Sequence, residues 1–159
     1  MNMADTESLL ELPPDMEIPA WCAGATLRYS MHLNRESPSN NDIRGLNPKA
    51  YKGLRQLWCN KILSKGLHGQ TPDAPLERAA LVLVRRCSGS LDWDNALGGL
   101  KPIVDCLVVR SLRRSPNGLG LVRDDSPKYM PYPPFMLQRS AAPGEGSLDI
   151  AIFELPPAG

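Results

Sequence analysis

Residues 79–86 read AALVLVRR and run on into 87–105, CSGSLDWDNALGGLKPIVD. The first stretch is apolar and rich in β-branched side chains, which suits a central, largely buried strand. Upstream, 69–75 reads as a turn, and Asn47-Pro48 marks a helix start, with Asn as cap and Pro at the first helical position. From there Tyr51, Leu54, Trp58 and Ile62 recur at three- and four-residue spacing, which predicts an amphipathic helix ending near Gly66. Ala25 to Met31 predicts a first strand, which stops before the polar run from Asn34 to Asn41. Downstream, Leu119 to Val122 reads as a short strand, and Phe135 to Arg139 with Leu148 to Leu155 reads as a hairpin. Within the last of these, Leu148, Ile150, Ile152 and Glu154 share one face. The expected fold class is α/β (α+β): one compact domain with a small mixed β-sheet packed against two main helices.

The composition agrees with one soluble globular domain: 159 residues, 42% hydrophobic, 22% charged, mean hydropathy −0.27. No run approaches the ~20 apolar residues of a membrane span. Sixteen prolines and 13 glycines predict short elements and long connections. The first 20 positions hold five acids, no Lys or Arg, and Pro13, Pro14 and Pro19, so 1–24 is expected to be an acidic, disordered leader. Residues 25–155 form the expected domain, and 156–159 a frayed tail. The acidic start suits neither a secretory signal nor a transit peptide, so a cytoplasmic location is expected. Cys22, Cys59, Cys87 and Cys106 include no CxxC pair, which argues against a zinc site. Cys59 and Cys106 fall in apolar helical patterns, where a reduced thiol behaves as a small hydrophobe.

The formal net charge of +1 is an average over segregated parts. Residues 21–90 carry 11 bases against four acids, and 91–159 carry seven against eight. A near-neutral total therefore does not exclude a nucleic-acid partner.

The acids concentrate beyond the central strand. In an extended segment Asp92 and Asp94 of Asp92-Trp93-Asp94-Asn95 face one side, and Asp94 is a natural cap for a following helix. A helix continuing from there puts Asp94, Gly98, Lys101 and Asp105 on one stripe, and Leu97, Leu100, Ile103, Val104 and Leu107 on the other side. Gly98-Gly99 and Pro102 strain that helix, so the alternative is an irregular turn with the helix starting near Leu100. Either way Lys101 and Asp105 lie one helical turn apart. Asp124-Asp125 follows the short strand. Clustered carboxylates repel unless a cation joins them, and hard oxygen donors suit Mg²⁺, which can orient and activate a water for phosphodiester hydrolysis. A calcium loop does not fit, because counting from Asp92 its glycine position holds Leu97 and its glutamate position Ile103. Without a site, Asp92 and Asp94 are turn and cap residues, and Asp124-Asp125 is a surface turn.

Strand, Asp92-Trp93-Asp94-Asn95, Lys101 with Asp105, then Asp124-Asp125-Ser126: this order resembles the signature of the RusA-type Holliday junction resolvases. Pro38-Ser39-Asn40-Asn41 resembles the family's Pro/Asn-rich segment after the first strand, so the likeness spans about 25–155. It implies a homodimer that nicks four-way DNA junctions symmetrically, with Mg²⁺ (Mn²⁺ substituting) and no nucleotide cofactor. By the same resemblance Asp92, Asp94 and Asp125 would bind metal, and Lys101 would meet the scissile phosphate. Asp105 and Asp124 would be accessory acids. Between Asp94 and Lys101 the chain is longer than in well-known members by about one helical turn. Gly-Gly-Leu-Lys is common in phage members, which suggests a phage-derived origin.

Other residues are read from chemistry. Arg110, Arg113 and Arg114 form a loop-borne basic cluster suited to phosphate, and Arg85 and Arg86 at the end of the central strand are expected to serve similarly. Lys49, Lys52 and Arg55 point away from the apolar stripe of their helix, either as a solvated face or as phosphate contacts. His32 and His68 stand alone. Trp93 is expected to point into the core, and Tyr129, Tyr132 and Phe135 to pack over the sheet.

Overall fold

The computed structural model describes residues 10–64, 74–113 and 115–158. Eight elements follow in chain order: β1 (Thr26–Leu33), α1 (Asn40–Arg44), α2 (Pro48–Ser64), β2 (Ala79–Cys87), α3 (Trp93–Gly98), α4 (Lys101–Leu107), β3 (Phe135–Ser140) and β4 (Ser147–Glu154). Four strands make one mixed sheet in the order β1-β4-β2-β3. β4 is antiparallel to both β1 and β2, while β3 runs parallel to β2. The α+β class is therefore as expected, and β2 lies inside the sheet.

Side-chain alternation explains the two covered faces. Leu81 and Leu83 of β2, Leu148, Ile150 and Ile152 of β4, and Tyr29, Met31 and Leu33 of β1 face the helical layer. Trp58, Cys59 and Ile62 of α2 and Ile103, Cys106 and Leu107 of α4 close over them. Helix α2 begins as predicted, with the Ala50 N–H donating to Asn47 Oδ1 at 2.8 Å. The opposite face carries Ala80, Val82, Val84, Ala151 and Phe153, and Met16 and Cys22 are buried against it.

Three expectations are corrected. β3 and β4 do not pair as a hairpin, because β2 lies between them. β4 is apolar on both faces and so takes two partners, whereas β3 ends in exposed Arg139 and Ser140 at the sheet edge. The chain instead crosses the end of β2, where the Ala141 N–H donates to the Cys87 carbonyl at 3.0 Å. Leu119–Val122 forms no strand. It makes only isolated bridges, Val122 with Leu76 and with Val108, while Leu121 and Val122 are buried against the end of α4. The segment 1–24, expected to be a disordered leader, is ordered over 16–22 by its apolar residues. Ala20–Cys22 is a 3-10 turn, and Trp21 stacks on Tyr132 with centroids 4.4 Å apart. The predicted helix end at Gly66, most of the 69–75 turn, His68 and Arg114 lie outside the described residues.

Candidate active site

The acidic stretch folds as two short helices with a break. Asp92, and not Asp94, is the cap: its Oδ1 accepts the Asn95 N–H at 2.9 Å and its Oδ2 accepts the Asn95 side-chain amide at 3.1 Å. The chain becomes helical at Trp93, so the alternation that would align Asp92 with Asp94 in an extended segment does not apply. The first turn of α3 stands clear of the sheet, with Asp92, Trp93 and Asp94 all exposed. Trp93 is 55% exposed and does not enter the core; Ala96, one turn on, does.

Gly98 and Gly99 have a positive reason to be glycine. A Cβ on Gly99 would lie 1.7 Å from the Pro38 carbonyl oxygen, and one on Gly98 would lie 2.8 Å from the Asn40 side chain. The glycine pair is where the segment 38–40 crosses the helix break. Leu100 then precedes α4, and Pro102 sits in its first turn, where a missing N–H costs nothing. The second of the two expected arrangements is the one formed.

The crossing segment is held from both sides. Ser39 and Asp42 form a reciprocal capping box, Ser39 Oγ accepting from the Asp42 N–H at 3.1 Å and Asp42 Oδ2 from the Ser39 N–H at 3.0 Å. The backbone bond from Ser39 holds the Asp42 carboxyl below its ordinary range. From beneath, Arg85 Nε donates to the Ser37 carbonyl at 3.1 Å. Arg85 is only 5% exposed, so it is an internal brace and not a surface phosphate contact as expected. β-Strand alternation sends Arg86 to the other face, where it pairs with the buried carboxylate of Asp149 and donates to the Pro14 carbonyl at 3.1 Å. Its role, too, is structural. Asp149 also meets His32 Nδ1 at 2.6 Å, so His32 does not stand alone.

Lys101 and Asp105 lie on one face of α4 as predicted, with Nζ 3.3 Å from Asp105 Oδ1. Asp105 is buried, and its Oδ2 accepts the Tyr51 hydroxyl of α2 at 2.9 Å. Burial first, and then the bond to Asp105, push the Tyr51 phenol well above its usual range. Burial likewise raises the Cys106 thiol to about 12. Sequence reasoning placed Tyr51 only in an apolar stripe. The signal it left unused is that a tyrosine at the end of such a stripe needs an acceptor for its hydroxyl.

Asp124 is half-buried. Desolvation opposes its ionisation, but hydrogen bonds from Ser126 and Asp125 outweigh it and hold the carboxyl low. Asp125 is exposed and lines an open cavity of about 630 Å³ together with Lys101, Asn40 and a largely apolar wall. Two of the acidic blocks and the Pro/Asn segment thus reach one cavity. Asp92 and Asp94 are not among its lining; they stand at the other end of α3, a six-residue helix about 9 Å long.

Among the described residues, no three His, Cys, Asp or Glu side chains come together as a metal group. The expected set of Asp92, Asp94 and Asp125 is therefore not a preassembled cage. Asp125 is the carboxylate that reaches the cavity, and Mg²⁺ can be held by one or two carboxylates, with water and phosphate oxygens completing its shell. Of the expected phosphate contacts, Lys49, Lys52, Arg110 and Arg113 are exposed. Arg55 is engaged, its Nε donating to Asn117 Oδ1 at 3.2 Å and its guanidinium 5.4 Å from the Tyr51 ring centroid. Among the described residues no helix is long and apolar enough to cross a membrane.

No family model matches the chain, and no curated protein shows significant similarity to it.

Proposed function

We propose that this protein is a Mg²⁺-dependent, structure-specific DNA endonuclease that resolves four-way junctions as a homodimer through paired phosphodiester nicks. The observation that carries the reading is the meeting of Lys101, Asp125 and Asn40 at one cavity, from three segments far apart in the chain. Lys101 offers an exposed ammonium to a phosphate oxygen. Asp105 orients it, and Tyr51 holds the other oxygen of Asp105. A bound cation would neutralise developing charge on the phosphate and lower the pKa of the attacking water. Asp125, exposed at the cavity beside Lys101, is the carboxylate suited to hold it, and Asp94, exposed at the other end of α3, would have to move toward it to join the shell. Asp92 can assist, since its cap uses only part of its lone-pair capacity. Lys49, Lys52, Arg110 and Arg113 supply backbone phosphate contacts, which set position and not sequence.

The test is a cleavage assay on a four-way junction, a flap and a linear duplex, with and without Mg²⁺. Metal-dependent nicking of branched DNA, abolished by Asp125→Asn and lowered by Asp92→Asn, is the expected result. Full junction cleavage by both variants would remove the metal assignment. A second reading is a DNA-junction binding protein without catalysis. It is favoured by the separation of Asp92 and Asp94 from the cavity that Asp125 and Lys101 line. Binding without cleavage in both Mg²⁺ and Mn²⁺ would select it.

A further inference from the structure

The proposed chemistry uses only three of the residues that line the cavity. Beyond Asn40, Lys101 and Asp125 the lining is Leu97, Val104, Met130, Tyr132 and several prolines. A phosphodiester has no use for such a wall, because its oxygens seek charge and N–H donors. At about 630 Å³ the cavity falls within the ~300–1,000 Å³ typical of sites for compact organic ligands. Its lining combines what a nucleotide would need: the charged Lys101 and Asp125, the amide of Asn40 and a largely apolar remainder.

We propose that this cavity receives one nucleobase turned out of a DNA strand. This rests on the reading of the protein as a DNA endonuclease and names how it engages its substrate. The phosphate lies beside Lys101, the ring packs against Val104 and Tyr132, and Asn40, with a donor and an acceptor on one amide, meets the base edge. The wall is prepared for this. Tyr132 is backed by its stack on Trp21, at 4.4 Å and 19°, and proline φ angles are fixed, so little ordering accompanies binding. Turning out a base costs a few kcal/mol in duplex and least where pairing is already broken. The cavity therefore favours branch points over continuous duplex, independently of how two protomers are arranged. Trp21, in the acidic N-terminal segment, acquires a role as the support of a substrate wall.

Photocrosslinking without divalent metal tests this. Four-way junctions carrying 5-iododeoxyuridine at successive positions around the nick are irradiated with saturating protein, and the attached residues are mapped by mass spectrometry. One position is expected to attach to Tyr132 or Met130. Val104→Phe, which puts a ring where the base would pack, should lower that yield at least tenfold per bound complex. Asn40→Ala makes the same comparison should the first variant fail to fold. Crosslinks confined to residues outside the cavity, in a protein that binds and cleaves junctions, would overturn the inference and leave the nuclease reading standing. Failure to bind any DNA form would overturn both. Labelling of the cavity by free 5-iododeoxyuridine monophosphate as strongly as by DNA would make it a site for free nucleotides and overturn the strand assignment.

Discussion

Replacing Gly99 with alanine isolates a single contact. Gly99 has φ −69° and ψ −12°, a conformation alanine adopts freely, so no backbone penalty enters. The cost comes from space. The new Cβ would sit 1.7 Å from the Pro38 carbonyl oxygen, and ordinary contact begins at 3.4 Å, so helix break and crossing segment must separate by at least the difference. Neither side yields easily, since Arg85 holds the Ser37 carbonyl and the Ser39–Asp42 box fixes the next turn. Overpacking costs about 1–3 kcal/mol, and this site belongs at the upper end. Alanine's helix propensity returns up to about 1 kcal/mol, leaving a net loss of about 2–3 kcal/mol. At ~2–4 °C per kcal/mol for a chain of this size, Tm should fall by roughly 4–12 °C. Gly53→Ala, inside α2 with no atom within 4 Å of the new Cβ, is the control and should stabilise by up to about 1 kcal/mol. Urea denaturation of both variants beside the parent protein measures the difference. A Gly99→Ala loss below about 0.5 kcal/mol would refute the close approach as the reason for glycine.

Four further outcomes are expected. Tyr51→Phe leaves a buried oxygen of Asp105 without its donor and should cost ~1–3 kcal/mol in denaturant titration, with little further loss when Asp105 is already Ala. Asp149→Ala removes a buried partner from Arg86 and should cost ~3–5 kcal/mol, whereas His32→Ala, at an exposed position, should cost far less; equal losses would show that the ion pair is not what matters. Asp92→Asn keeps the helix cap and should leave Tm unchanged while lowering cleavage, but Asp92→Ala should lose about 1 kcal/mol of stability as well. Cys106 and Tyr51 have raised pKa values in the folded chain, so the unfolded chain releases their protons first as pH rises. Their contribution is complete below about pH 9 and is lost toward pH 12, at ~1.4 kcal/mol per pH unit for each titrating group, and Cys106→Ala should flatten that decline in alkaline melts.

Local rules carried far where the determinant was local. The β-branched run 79–86 and the Asn47-Pro48 cap identified β2 and α2, and the spacing of Lys101 and Asp105 survived the change in where the helix starts. The hairpin failed because a period of two assigns side chains to faces and is silent about which strand lies alongside. Arg85 and Arg86 show the same limit: charge at a strand end suggested solvent, and only the crossing segment above one and the N-terminal segment against the other bury them. The glycine pair looked like a helix defect because the chain that presses on it lies some sixty positions earlier. Met16, Trp21 and Cys22 were obscured by the acids around them, although three apolar side chains among prolines are enough to cover a patch of sheet.

The position of β4 sets a timetable for folding. Among the described residues β1 has a single partner in the sheet, and that partner is the last of the four strands in chain order. During synthesis, β2, α3 and α4 can begin to associate from nearby sequence, but β1 has nothing to pair with until 147–154 has been made. Such distant pairing makes for slow folding, with an apolar strand left waiting in the meantime. A chain stopped before Ser147 would lose β4 and with it the strand that β1 is hydrogen-bonded to. The first of the described strands is thus the one completed last.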